Sequence, residues 1–170
     1  MKRFSNKAFT LMELMVVVTI IGVAAVIAIP SIKAFIPNVR LKGAVRSLYM
    51  AGMQTKSEAV RRQKNCVLTF NQTVDGITYP YVVFQDDDGD GEYDAGEPTI
   101  VLPDLLPESV TITGNNLPVN DDGNPTIIFR QTTLPMQNSG AIVNGTVSMT
   151  SSRGKVSKVI FNQAGSIRVE

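Results

Sequence analysis

The sequence predicts an α+β protein: a long N-terminal helix, membrane-spanning in its first half, packed on a C-terminal antiparallel β-sheet or sandwich head. Three observations carry that expectation. An apolar run from Phe9 to Ile29 is broken by one charge, Glu13. Beyond it, Leu41, Ala44, Val45, Leu48, Gly52, Thr55 and Ala59 recur at three- and four-residue spacing, the period of a helix with one buried stripe. From Cys66 onward the text becomes short β-rich runs separated by Asp-, Asn- and Gly-rich turns.

Residues 1–8 form a short basic leader with Lys2, Arg3 and Lys7. Residues 9–29 follow as a transmembrane or assembly helix, because a bilayer span needs about 20 predominantly apolar residues. An ionised carboxylate in such a span costs about 2.5–3.5 kcal/mol, so Glu13 is retained for a reason. Charge does not orient the span: Lys33, Arg40, Lys42 and Arg46 lie soon after it and balance the leader. Pro30 and Pro37 are expected to bend or locally unwind the helix.

Residues 30–64 continue the helix as a stem. Lys33, Arg40, Lys42, Arg46, Lys56, Arg61, Arg62 and Lys64 face only Glu58 there, either as a solvated helix face or as a surface for acidic faces of neighbouring chains. The small residues of its stripe let a sheet approach closely, and the helix should stop near Gln63-Lys64-Asn65. Residues 65–170 make the β-rich head. Its expected strands are Cys66–Phe70, Ile77–Phe84, Thr99–Leu102, Ser109–Thr113, Thr126–Arg130, Thr146–Thr150, Val156–Phe161 and Ser166–Val169. Turns are expected at Asp75-Gly76, Gly114-Asn115-Asn116, Asp121-Asp122-Gly123-Asn124 and Asn138-Ser139-Gly140.

Composition narrows the chemistry. The chain of 170 residues accommodates one anchor and one modest domain. It has no histidine, which excludes Ser-His and Cys-His nucleophilic pairs and His-containing zinc sites. No other spacing suggests catalysis, so the chain does not read as an enzyme. Cys66 is the only cysteine, so no intramolecular disulfide can form, and its place at the start of a strand suits a small buried hydrophobe.

Seven of the 15 acidic residues fall between Asp86 and Glu97. The stretch Asp86-Asp87-Asp88-Gly89-Asp90-Gly91-Glu92-Tyr93-Asp94-Ala95-Gly96-Glu97 fits the register of a twelve-residue calcium loop. Asp86, Asp88 and Asp90 take positions one, three and five, and Gly91 takes the sharp turn at six. Glu92 would offer its carbonyl, Asp94 would bind directly or through water, and Glu97 would bind bidentately. Oxygen ligands in this number suit Ca²⁺ as a structural ion. The flanks read as strands, so no helix-opening switch is expected; a metal-free Asp-Gly hairpin turn is the competing reading.

Ala8-Phe9-Thr10-Leu11-Met12-Glu13-Leu14 resembles the processing site of type IV prepilins and type II secretion pseudopilins. The resemblance implies that prepilin peptidase cuts between Ala8 and Phe9 and that the new Phe9 amine is methylated. That amine is a cation placed to pair with Glu13 of a neighbouring chain, which makes Glu13 the expected assembly contact. Pro30 falls where these helices usually carry a proline, whereas Ala8 stands where the family normally has glycine. Ser57-Glu58-Ala59-Val60-Arg61-Arg62 leading into Val67-Leu68-Thr69, and Val159-Ile160-Phe161 followed by Gly165, resemble the helix exit and final strands of the GspH/FimT group.

The resemblance implies a structural subunit of a type II secretion pseudopilus or a type IV pilus. Its partners would be other pilin subunits, the peptidase, an inner-membrane assembly platform and membrane lipid. The leader would face the cytoplasm and the head the periplasm before entry into the fibre. Two alternatives stand beside this. A competence pilin would bind DNA through a Gly-Arg-x-Arg tract, of which Gly165-Ser166-Ile167-Arg168 keeps one arginine; Arg153, Lys155, Lys158 and Arg168 would then give weak phosphate contacts. Cleavage as a secretory signal near Val26-Ile27-Ala28 would instead release a calcium-binding β-domain.

Overall fold

The computed structural model describes residues 10–170, apart from the side chains of residues 27–31. The leader, with Ala8, and Phe9 therefore lie outside the described residues. One helix, α1, covers Leu11–Arg62, and nine strands follow it. The chain divides into two compact units, Met1–Ile36 and Pro37–Glu170.

In the first unit α1 is apolar on every side. Leu11, Met12, Leu14, Met15, Val16, Val17, Val18, Ile20, Ile21, Val23 and Val26 are all exposed. Among the described residues no helix is long and apolar enough to cross a membrane. The apolar stretch with described side chains, Leu11–Val26, is shorter than the roughly 20 residues a span requires. Helix is assigned through both Pro30 and Pro37, so the local unwinding expected there does not occur. A proline removes one amide donor from the ladder, and the helical residues on either side carry the helix past that single loss.

The second unit is built on the rest of α1. Leu41, Val45, Leu48, Ala51, Gly52, Thr55 and Ala59 are buried, and Ala44 packs at the edge of the core. Thr55 is the one polar member of that stripe, and its hydroxyl donates to the Ala51 carbonyl at 2.7 Å within the helix. Gly52 shows why small residues are needed: a Cβ there would stand 3.0 Å from the Phe161 ring and 3.1 Å from Ile167. The helix ends at Arg62, where Gln63 turns to a positive φ of 55° and the basic last turn (Arg61, Arg62) suits a helix C-terminus.

The strands are β1 (Asn65–Val74), β2 (Ile77–Asp86), β3 (Thr99–Val101), β4 (Val110–Asn115), β5 (Thr126–Phe129), β6 (Pro135–Met136), β7 (Gly145–Ser151), β8 (Val156–Phe161) and β9 (Ile167–Val169). They form two antiparallel sheets, ordered β3-β2-β1-β5-β6 and β4-β7-β8-β9. The first strand outruns its expected end at Phe70, because Gln72–Val74 pair onward with Ile77–Tyr79 around the Asp75-Gly76 turn. Both turn residues have positive φ, 51° and 80°, as a two-residue hairpin requires. β6 was not expected: two residues, one of them proline, leave no period to read.

The main core joins the helix stripe to both sheets through Leu68, Phe70, Tyr81, Val83, Ile127, Phe129, Val147, Met149, Val159 and Phe161. Tyr81 keeps its hydroxyl satisfied by Ser47 at 2.8 Å. Cys66 is completely buried in this core, and burial pushes its thiol up to about 11. A second, smaller cluster (Val67, Val74, Val82, Phe84 and Ile128) covers the other face of the first sheet, which is why β1, β2 and β5 read as continuous apolar runs.

Candidate functional site

Two places carry unusual chemistry: the start of α1 and the loop between β2 and β3. At the first, the Glu13 carboxylate accepts on Oε2 both the backbone amide and the hydroxyl of Thr10, each at 2.9 Å. The Glu13 amide donates back to Thr10 Oγ1 at 3.2 Å. This reciprocal pairing is a capping box, Thr-x-x-Glu, in which the cap hydroxyl and the third-position carboxylate satisfy donors the first helical turn leaves unpaired. The sequence reading missed it, although the three-residue spacing of Thr10 and Glu13 was the available signal. Glu13 thus has a local reason to be present in an apolar segment, beside any contact with another chain.

The acidic loop starts inside the fold. Asp86, the last residue of β2, is only 2% exposed. Its Oδ1 accepts the Gly89 amide at 2.6 Å, while Oδ2 is buried with no hydrogen-bond partner. An orphaned, desolvated carboxylate oxygen is costly unless something binds it. Glu97 closes the loop from its far end: Oε1 accepts the Asp87 amide at 2.8 Å and Oε2 the Asp94 amide at 3.1 Å. Asp86, Asp88 and Glu97 bring carboxylate oxygens within 4.8 Å of one another, and Asp88, Asp90 and Asp94 do the same. Asp88 is shared by both groups.

The backbone is shaped for this gathering. Gly89, Gly91 and Gly96 sit at φ of 90°, 76° and 113°. At Gly91 a side chain would also meet Ile128 Cδ1 at 2.9 Å, so the turn at position six needs glycine for two reasons. Asp88 Oδ1 and Asp90 Oδ1 accept amides two residues on, from Asp90 at 3.4 Å and Glu92 at 2.8 Å. Burial pushes the Asp86 carboxyl above its usual range, with the charges of Asp88 and Asp90 adding and the Gly89 and Gly91 amides opposing. Burial also raises Glu97, against the Asp87 and Asp94 amides.

The Glu92 side chain leaves this group. Its Oε1 accepts the Asp122 amide at 2.9 Å, and Asn120 Nδ2 donates to the Gly91 carbonyl at 3.3 Å. The acidic loop is therefore tied to the 120–124 turn, a link invisible in the sequence because it joins segments about 30 residues apart. Tyr93 holds the loop down by packing edge-on against Phe84, with centroids 5.3 Å apart.

The four basic residues offered for nucleic acid are only partly assembled. Lys158 and Arg168 share the exposed face of β8 and β9, since Lys158 lies opposite Glu170 and Ile160 opposite Arg168. Glu170 stands among them and pairs with Arg168 at 3.2 Å. Arg153 and Lys155 occupy the β7–β8 turn. An acid beside Lys158 and paired with Arg168 weakens these residues as a phosphate footprint.

Comparison with known proteins bears on the whole chain. The prokaryotic N-terminal methylation motif matches residues 3–29. The family described as type II transport protein GspH matches residues 44–165. No curated protein matches the chain by sequence. Among solved structures, the type IV minor pilin FimU of Pseudomonas aeruginosa is similar in fold, with a TM-score of 0.54 at 14% identity over 80% of this chain and 92% of that one. The minor pseudopilin EpsH from the type 2 secretion system of Vibrio cholerae gives 0.49 at 16% identity over 77% and 96%. The long helix packed on antiparallel sheets, the methylation motif at its start and a family match over well over half of the sequence agree: this chain belongs to the GspH family of type II transport proteins.

Proposed function

We propose that this subunit is cut between Ala8 and Phe9, methylated on the new amine, held in the inner membrane by residues 9–29, and then assembled through that helix into a pseudopilus or pilus. The observation that carries this reading is the all-round exposure of apolar side chains from Leu11 to Val26. A helix apolar on every side needs an apolar environment all round it, and lipid before assembly and neighbouring helices after it both supply one. Prepilin peptidase and an inner-membrane assembly platform are the partners the processing step and the transfer require.

Intact-mass measurement of detergent-extracted protein tests the processing step. The expected mass is that of the chain from Phe9 to Glu170 plus one methyl group. A mass beginning at Met1, or near Ile29, rejects the reading, the latter in favour of a secreted β-domain. DNA binding receives no support from the Arg168–Glu170 pair.

A further inference from the structure

We propose that the β2–β3 loop is a calcium site of the head, with Asp86, Asp88, Asp90, Asp94 and Glu97 as carboxylate ligands and the Glu92 carbonyl, not its side chain, completing the set. The acidic cluster alone would not justify this. The independent observation is Asp86: 98% removed from solvent, with Oδ2 buried and unpartnered, yet carrying its carboxylate within 4.8 Å of those of Asp88 and Glu97. A solvated hairpin turn would leave its acids in water, or hydrogen-bond a buried one on both oxygens.

The remaining geometry points the same way. The two carboxylate triplets share Asp88, which links the buried start and the end of the loop to its middle. The amides of Asp87 and Asp94 hold Glu97 against the entry of the loop, and the Asp122 amide holds the Glu92 side chain outside it. Five hard carboxylates and a carbonyl suit Ca²⁺, which takes 6–8 oxygens; Mg²⁺ keeps its water and prefers one or two carboxylates. The occupied site would fasten β2, β3 and the 120–124 turn over the second apolar cluster.

The test uses the full chain in detergent, stripped of metal with a chelator. Millimolar Ca²⁺ is expected to raise its melting temperature, followed by circular dichroism, by roughly 5 °C, because an ion bound only by the folded state stabilises it by mass action. Equimolar Mg²⁺ should give less than half that shift. Asp88→Asn keeps the side-chain oxygen that receives the Asp90 amide but removes the shared charge, so calcium affinity should fall at least tenfold. Asp121→Asn removes an equal charge from the neighbouring turn and should leave the calcium response intact. Tb³⁺ adds a folding-independent readout, since Tyr93 within the loop would sensitise its luminescence and Tyr93→Phe would extinguish it while keeping the calcium shift. Equal shifts with Ca²⁺ and Mg²⁺, an unchanged response in Asp88→Asn, or no shift in the natural chain would each overturn the proposal.

Discussion

Glu13→Val is expected to abolish incorporation into fibres while leaving membrane insertion intact or improved. Removing the carboxylate relieves the cost of about 2.5–3.5 kcal/mol that a charge carries in a span. It also removes the partner proposed for a neighbour's Phe9 amine, and breaking such a pair, once buried in a fibre, would leave an uncompensated charge at a cost of about 3–5 kcal/mol per contact. That is roughly a hundredfold or more in subunit affinity. The capping box means that Glu13→Val alone cannot tell this role from a local one, since it also uncaps α1.

Two companion variants separate the roles. Glu13→Gln keeps an acceptor for Thr10 and so keeps the box, which tolerates glutamine at that position, but it loses the charge. Thr10→Val loses the cap at a cost of about 1 kcal/mol and keeps the charge. Sheared fibres, or crosslinked subunit complexes, should contain Thr10→Val and lack both Glu13 variants. The opposite pattern, with Glu13→Gln incorporated and Thr10→Val missing, would make Glu13 a helix cap and not an assembly contact.

The second large effect lies in the head. Phe161→Ala should destabilise it by about 3–5 kcal/mol, the range for deleting a fully buried aromatic. Small domains are stable by roughly 5–15 kcal/mol, so the loss is severe. Gly52→Leu should also destabilise, by about 1–3 kcal/mol, because its Cβ alone would stand 3.0 Å from the Phe161 ring, closer than ordinary contact, before the rest of the side chain is placed. The two sites are in contact, so their effects should not add. A leucine at position 52 would fill part of the space vacated by the ring, and the double variant should be more stable than the sum of the single losses predicts. Urea unfolding monitored by circular dichroism measures all three. Strict additivity would show that helix and sheet do not meet at this point.

Much of this architecture was legible because its signals are local. The helix stripe from Leu41 to Ala59 and eight of the nine strands follow from period and turn chemistry, which need only neighbouring residues. β6 has too few residues to carry a period, and β1 runs on past Phe70 because a hairpin partner, not its own composition, extends it. The acidic loop was visible as a register of carboxylates. What the register did not reveal is that Asp86 is buried while Asp88 is exposed, or that the Glu92 side chain serves Asp122. Those facts depend on the sheet face beneath the loop and on a distant turn. The Thr10–Glu13 box is legible in the Thr-x-x-Glu spacing, although the same carboxylate also carries the cost of a charge in an apolar segment.

Burial of Cys66 has a practical consequence for mapping neighbours within a fibre. The chain's only thiol is fully enclosed and held protonated at neutral pH, so it should not react with maleimides or form disulfide-linked dimers while the head is folded. The natural protein therefore offers a silent background. A single cysteine placed on the stem, for instance Arg46→Cys, would be the sole reactive point of each copy. Any oxidative dimer that formed would report the separation of two equivalent positions in adjacent subunits. Labelling that rises only as the head is unfolded in urea would turn the native thiol into a counter of opened molecules.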